Sequence, residues 1–267
     1  MVTAYPIFNR KAVMAYLLIW MLLILGLALN PATQDEDDLS LIVEYEKTNG
    51  TVLHSFVDGE LVSTNNVTLS FDFSNTSSDN DLVEFGIDLA DGSDPISVDA
   101  MTNSSISIDF VNHGIYELWA FAIDDSGLRE NTSIVVRIEL QVDWIESNTY
   151  EPTPLVINPI PINGGPAPNS ILINSTVENP ELIENIETGR EVEFTWSLVD
   201  DVEDTCQSRN GLVHEGEFVN WETIHFNTFQ VHELRISYDS GQDYINIDHS
   251  VLIAYSEIES TPTLTND

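Results

Sequence analysis

The residues of this chain with chemistry beyond packing are six histidines, one cysteine and several clusters of aspartate. The histidines are His54, His113, His214, His225, His232 and His249. They include no His-x-His or His-Glu-x-x-His pair, the spacings that aim two imidazoles at one metal from a single strand or helix. Neither a Gly-x-Ser-x-Gly elbow nor a phosphate-cradling Gly-Lys-Ser loop occurs. Cys206 lies in Glu203-Asp204-Thr205-Cys206-Gln207, with no basic neighbour in sequence to lower its pKa, and reads as an ordinary thiol. As the sole cysteine it can build neither an intrachain disulfide nor a multi-thiolate metal site. The acidic loops remain. Asp79 and Asp81, then Asp88, Asp91 and Asp94, are calcium candidates because they offer hard oxygen ligands, as does the cluster Asp200, Asp201, Glu203 and Asp204. None has the twelve-residue EF-hand spacing, and Asp with Gly is also what tight turns require. No catalytic or cofactor-binding residue is expected, calcium is the one metal candidate, and the chain is expected not to be an enzyme.

The background to these residues is acidic: 45 acids against 8 bases give a formal charge of −37. The few bases are scattered, so no stripe could neutralise phosphates, and nucleic acid is excluded as a partner. The charge favours cations and cationic partners and opposes anionic lipid surfaces. Ala12 to Leu29 is an apolar run preceded by Arg10-Lys11 and followed by Asp35-Glu36-Asp37-Asp38. Its length is near the lower limit for a membrane span and above that of a signal-peptide core. Bases before the run hold that end in the cytoplasm, which places the rest of the chain outside. Residues 1–34 are therefore expected to be a membrane anchor, with a cleaved signal segment and secretion as the alternative. Sequons at Asn49, Asn66, Asn75, Asn103, Asn131 and Asn174 agree with export and are candidate glycosylation sites.

After residue 30 no segment sustains a helical apolar period, and the pattern is one of short strands and turns. Val67, Leu69, Phe71 and Phe73 alternate with polar residues, as do Ile106, Ile108 and Phe110, the period of a half-buried strand. Asp58-Gly59, Asp91-Gly92 and Asp124-Asp125-Ser126-Gly127 supply turns. Six prolines around Gly164-Gly165 between residues 151 and 168 cannot donate ladder hydrogen bonds, which marks a semi-rigid linker or edge segment. Strand-like runs resume at Ile171 and continue to Tyr255. The expected organisation is all-β: a first β-sandwich at 35–148, a linker at 149–169, a second immunoglobulin-like sandwich at 170–260 and a flexible tail at 261–267.

The stretch Gly114, Tyr116, Leu118, Ala120, Ala122, Asp124, Gly127 matches the spacing Gly-x-Tyr-x-Val-x-Leu-x-Val-x-Asp-x-x-Gly. Upstream, Ser77 to Asp81 precede Ile87-Asp88-Leu89-Ala90-Asp91-Gly92, where the related pattern has Trp-Asp-Phe-Gly-Asp-Gly. Residues 67–140 on these grounds resemble a PKD domain, an immunoglobulin-like sandwich found in surface proteins. Ile87, Leu89 and Ala90 replace the Trp, Phe and first Gly, so the resemblance is to a divergent member. It implies binding to an extracellular protein or carbohydrate rather than catalysis.

If Tyr116, Leu118 and Ala120 face the core, alternation sends Trp119, Phe121 and Ile123 to the other side. Three large apolar groups there imply cover, by another part of the chain or by a partner, and make this strand a candidate interaction face. The functional expectation is a non-catalytic cell-surface binding, adhesion or spacer protein. A pilin-like filament subunit and an accessory module of an exported hydrolase are the alternatives.

Overall fold

The computed structural model describes residues 38–181, 190–241 and 244–264. The expected N-terminal anchor or signal segment and the last three residues lie outside them. Every regular element among the described residues is a strand, and none is a helix long and apolar enough to cross a membrane. In chain order the first strands are β1 (Leu39–Ser40), β2 (Asn49–Val57), β3 (Glu60–Asn65), β4 (Val67–Asp72), β5 (Ser77–Ser78), β6 (Leu82–Asp88), β7 (Ile96–Asp99), β8 (Ser105–Phe110) and β9 (Gly114–Asp124). Then comes β10 (Arg129–Thr149), 21 residues long. The remainder are β11 (Leu155–Ile157), β12 (Ser170–Glu178), β13 (Glu191–Asp200), β14 (Thr205–His214), β15 (Phe218–His225), β16 (His232–Ser240) and β17 (Ile245–Ala254).

The long strand organises the rest. Its first half pairs antiparallel with β9, from Arg129↔Ile123 to Ile138↔Gly114. Its second half pairs antiparallel with β17, from Leu140↔Ile253 onward, and along the opposite edge it pairs in parallel with β2, from Arg137↔Asn49 to Ile145↔Val57. The result is one nine-stranded sheet with the path β15-β12-β17-β10-β9-β6-β7, to which β2 and β3 attach. Smaller sheets cover it: β4-β8 and β1-β5 over the first half, and β11-β16-β13-β14 over the second.

Alternation along β10 explains how one strand serves two cores. Ile134, Val136 and Ile138 are buried in the first hydrophobic cluster, and Val142 and Trp144, on the same face, are buried in the second. The first cluster joins Leu69, Phe71, Ile106 and Ile108 to Ile87, Leu118 and Ala120 across the sandwich. The second joins Ile171, Ile173, Val251 and Ile253 to Phe194, Trp196, Leu198 and Leu234. Each such fully buried large side chain contributes roughly 1.5–3 kcal/mol of transfer free energy. The two cores therefore meet inside β10, between Ile138 and Val142, and not at the proline-rich segment.

Residues 149–169, expected as a linker, are fastened to both cores. Leu155 and Ile157 are buried in the second cluster, with β11 paired to β16. Asn163 donates from Nδ2 to the carbonyl of Ile115 at 2.9 Å and accepts from the Gly165 amide at 3.0 Å. The C-terminal stretch, expected to be flexible from residue 261, is also tied down. Glu259 accepts from Nε of Arg137 at 2.9 Å, the Ser260 amide bonds Val135, and the Thr263 amide donates to the Tyr45 carbonyl at 3.1 Å. The reason is polar satisfaction: backbone groups of Tyr45 and Val135 outside the ladders need partners, and the tail supplies them. Residues 261–264 thus belong to the folded unit.

The turns expected from the sequence are present. Asp58 (φ 49°) and Gly59 (φ 84°) join β2 to β3, the left-handed pair a two-residue hairpin needs. Asp124 holds the β9–β10 turn by accepting from the amides of Ser126 and Leu128, both at 3.0 Å. Tyr116 donates its hydroxyl to the Asn112 carbonyl at 2.8 Å, a bond back to upstream backbone of the kind found in immunoglobulin-like sandwiches.

Candidate functional site

Strand pairing builds a broad accessible surface on the outer face of β15, β12, β17 and β10. Because the four strands run in register, their outward side chains fall into rows. Ile224, Leu172, Leu252 and Gln141 form the first row; Glu222, Asn174, Ser250 and Asp143 the second. Asn220, Thr176, Asp248 and Ile145 form the third, and Phe218, Glu178 and Asn246 lie in the fourth. Two shallow depressions of about 500 Å³ and 440 Å³ follow this face, one over the first two rows and one over the last two.

The rows are prearranged by their own hydrogen bonds. Gln141 donates to Ser250 at 2.6 Å and to Asp143 at 2.8 Å, Thr176 donates to Asn220 at 3.0 Å, and Asn246 donates to Glu178 at 2.9 Å. Burial, helped by the neighbouring charge of Asp143, raises the pKa of Asp248. Carboxylates, amides and hydroxyls alternate here with apolar patches from Leu172, Leu252, Ile224 and Phe218. Such a surface can hydrogen-bond hydroxyl-rich or cationic groups and shelter a small apolar one. Asn174, a sequon residue, is exposed in its middle.

The residues singled out from the sequence are distributed differently. Of the candidate interaction stripe, Phe121 is 2% exposed: its ring lies over Gly86 of the neighbouring strand, and the Arg129 guanidinium stacks on it at 3.8 Å. Ile123 is half-buried and Trp119 remains 40% exposed. The five calcium candidates serve turns or stand in solvent. Asp88 accepts from the Ala90 amide at 2.8 Å and Asp91 from the Ser93 amide at 2.9 Å, while Asp79, Asp81 and Asp94 are exposed. Among the sequons, Asn66, Asn75, Asn103, Asn131 and Asn174 are exposed, whereas Asn49 is half-buried with its amide bonded to Glu259.

A cluster with no local sequence signature also forms. Cys206, His225 and His232 each bring a potential ligand atom within 4.8 Å of the others, the one such group of three that includes a thiol or imidazole among the described residues. Cys206 is the extra residue of a β-bulge in β14, between the pairs Leu198↔Gln207 and Val199↔Thr205. Bulges re-aim side chains in this way. His225 ends β15 and His232 begins β16, so the loop 226–231 brings them back together, with ring centroids 4.5 Å apart. Burial lowers the pKa of His225, and burial followed by the charges of Asp200 and Asp204 raises that of Cys206. Pattern searches for His-x-His miss this arrangement because its ligands come from three strands of two sheets. The available signal was two histidines flanking a short turn.

No family model matches the chain, and no curated protein matches it. Solved structures similar to it include a chain described under carbohydrate-binding modules of the β-sandwich superfamily, at TM-score 0.29 and 9% identity over 79% of this chain and 95% of that one. Tripeptidyl peptidase 2 is similar at TM-score 0.27 and 11% identity, covering 80% of this chain but 20% of the peptidase. A structure of CBM51-2 with GlcNAc and INT domains from Clostridium perfringens ZmpB is similar at TM-score 0.26 and 10% identity, over 82% of this chain and 49% of that one.

Proposed function

We propose that this chain is a non-catalytic, exported surface module that binds an extracellular protein or carbohydrate through the outer face of β15, β12, β17 and β10. The observation that carries the reading is the register-locked ladder of carboxylate, amide and hydroxyl groups on that face. Gln141, Asp143, Ser250, Thr176, Asn220, Asn246 and Glu178 are held by mutual hydrogen bonds before any ligand arrives, which lowers the ordering cost of binding. The same strands continue through β10 into the first core, so the face is held on a rigid support, as a display or spacer protein requires. The apolar run Ala12–Leu29, with bases before it, supports attachment to a membrane with the folded part outside. The charge of −37 favours cationic or neutral hydroxyl-rich partners over nucleic acid.

The test is binding of the full chain to panels of immobilised polysaccharides and basic proteins, compared with the double variant Asn220→Ala/Glu222→Ala. Both positions are exposed, so the fold should survive the change. A loss of about tenfold or more in affinity, the equivalent of about 1.4 kcal/mol, is the expected result. Equal binding by variant and wild type would remove this face as the binding site.

A further inference from the structure

In the second sandwich the buried His232 is set up as an acceptor with nothing to accept, and His225 packs beside it. His232 is fully buried, and its Nε2 lies 2.8 Å from the carbonyl of Asn227. A carbonyl can only accept, so Nε2 carries the proton and Nδ1 presents a bare lone pair. That Nδ1 has no hydrogen-bond partner, and neither has Nε2 of His225, which is 8% exposed. The contrast with His113 is direct: equally buried, it has Nδ1 2.7 Å from the Tyr255 hydroxyl. An imidazole whose far nitrogen is tied to a backbone carbonyl while the near one is free is the usual posture of a metal ligand.

We infer that Cys206, His225 and His232 bind a borderline-soft divalent metal, Zn²⁺ by preference, which clasps the two sheets of the second sandwich at their open edge. The donor set of one thiolate and two imidazoles disfavours calcium and magnesium, which take oxygen. A blue-copper arrangement with the same three ligands usually adds an axial methionine, and the only methionine among the described residues, Met101, lies between β7 and β8. Gln207 is also engaged at both amide atoms, with Nε2 donating to the Ile224 carbonyl and Oε1 accepting from the Thr223 hydroxyl. Three protein ligands, one of them at the exposed rim, match the zinc pattern that leaves a fourth position to water or another ligand.

The location gives the metal a structural task. β14 is the edge of the four-stranded sheet and β15 the edge of the long one. They are joined by side-chain bonds, from Gln207 to the Ile224 carbonyl at 3.0 Å and from Arg209 to the Asn220 carbonyl at 2.9 Å. Cys206 and His232 stand on one sheet and His225 on the other, so a shared metal bridges that seam. The donor atoms, within 4.8 Å of one another, close by about 1 Å to reach the roughly 3.3–3.6 Å spacing of a tetrahedral N/S site. The bulged, exposed Cys206 is the part free to move.

The test is titration of the full chain with Co²⁺ and then Zn²⁺ in excess calcium, which occupies the surface carboxylates. One equivalent of Co²⁺ should give tetrahedral ligand-field bands and a sulfur-to-metal charge-transfer band, both abolished by Zn²⁺. Cys206→Ser, at an exposed position, should keep the fold while losing the charge-transfer band. Its Zn²⁺ affinity should fall by about 100-fold or more, at least the loss that follows removal of an outer-shell partner. His225→Gln should weaken binding comparably, and Zn²⁺ should protect Cys206 of the wild type from alkylation. Absence of saturable binding in excess calcium overturns the proposal. So does binding that Cys206→Ser leaves unchanged, or a thiol alkylated at the metal-free rate with Zn²⁺ present.

Discussion

Asp124 in the first core and His249 in the second are equally hidden, each 1% exposed, yet Asp124 accepts five hydrogen bonds and His249 keeps Nδ1 without a partner. The contrast extends beyond this pair. In the first half the buried polar groups are matched: Thr48 to Ser260, Thr76 to Ile42 and His113 to Tyr255. Among the described residues, Trp144, Asn179, His225, His232 and His249 each retain a buried polar atom with no partner, and all five lie in the second half. Buried groups left in that state cost about 1–3 kcal/mol each unless a water or ion satisfies them. Among the described residues these buried groups of the first half are thus satisfied within the protein, while those of the second leave polar atoms open to a water or ion. Stability and responsiveness are divided along one shared strand.

The largest test of this division uses two tryptophans. Trp196 is fully buried, packed edge-on against Phe194 at 4.6 Å, and donates to Ser175 at 2.7 Å. Trp196→Ala should cost about 3–5 kcal/mol, the range for emptying a large buried aromatic site, with the Ser175 hydroxyl left unpaired as well. Trp119 lies on the outer face of β9 and is 40% exposed, so Trp119→Ala should stay within about 0.5 kcal/mol. Urea denaturation of both variants decides it. A Trp119 effect as large as that of Trp196 would mean that β9 is covered by a second molecule in solution.

A smaller effect separates two cross-strand glycines. Gly86 faces Phe121 and Gly211 faces Phe194 in direct register, and each phenylalanine ring lies over its glycine. An added methyl would come within 2.1 Å of Phe121 and 2.4 Å of Phe194. Phe121 lies on the outer face beneath Arg129 and can tilt away, whereas Phe194 is enclosed by the second core. Gly211→Ala should therefore destabilise by up to about 3 kcal/mol and Gly86→Ala by about 1 kcal/mol. The reverse order in thermal unfolding would place the more rigid packing in the first half.

The all-β class and several strands were legible because alternation is local: Val67 to Phe73, Ile106 to Phe110 and Ile115 to Ile123 carry it openly. The turns at Gly59 and Gly127 were legible because their φ of 84° and 87° calls for glycine. Continuity of β10 was also written in the chain, as Ile134, Val136, Ile138, Leu140, Val142 and Trp144 at even positions. Prolines between 151 and 168 looked like a break because composition registers missing donors. It does not register the Asn163 bond to Ile115 or the burial of Leu155 and Ile157, which depend on distant strands. The cysteine–histidine cluster escaped for the same reason. Its three members converge only after a bulge, a turn and the apposition of two sheets.

His249 supplies the mildest and most specific test, because it asks whether the unpaired groups of the second half make folding sensitive to pH. Burial holds its pKa at about 3, against about 6.5 in an unfolded chain. Below pH 6.5 the unfolded state binds a proton that the folded state refuses, so the stability contribution is complete above 6.5 and is lost as pH falls through this window. Between pH 7 and pH 5 the loss should be about 2 kcal/mol. His54, His113 and His225 are also shifted downward by burial and add in the same direction. Acidic groups act elsewhere on the scale. Hydrogen bonding, chiefly from Ser126, holds Asp124 at about 2, and Arg137 does the same for Glu259, so their loss is confined to pH values below the ordinary carboxylate range. Relief of repulsion on a chain of net charge −37 opposes the histidine effect, but it acts equally on wild type and variant. The informative quantity is therefore the difference between wild type and His249→Leu, measured by urea denaturation in metal-free buffer from pH 7 to pH 5. His249→Leu should gain on the wild type by about 2 kcal/mol across that interval. Parallel curves would show that His249 is paired in solution, by a bound water to Trp144 or otherwise, and that the second half keeps its polar groups as closed as the first.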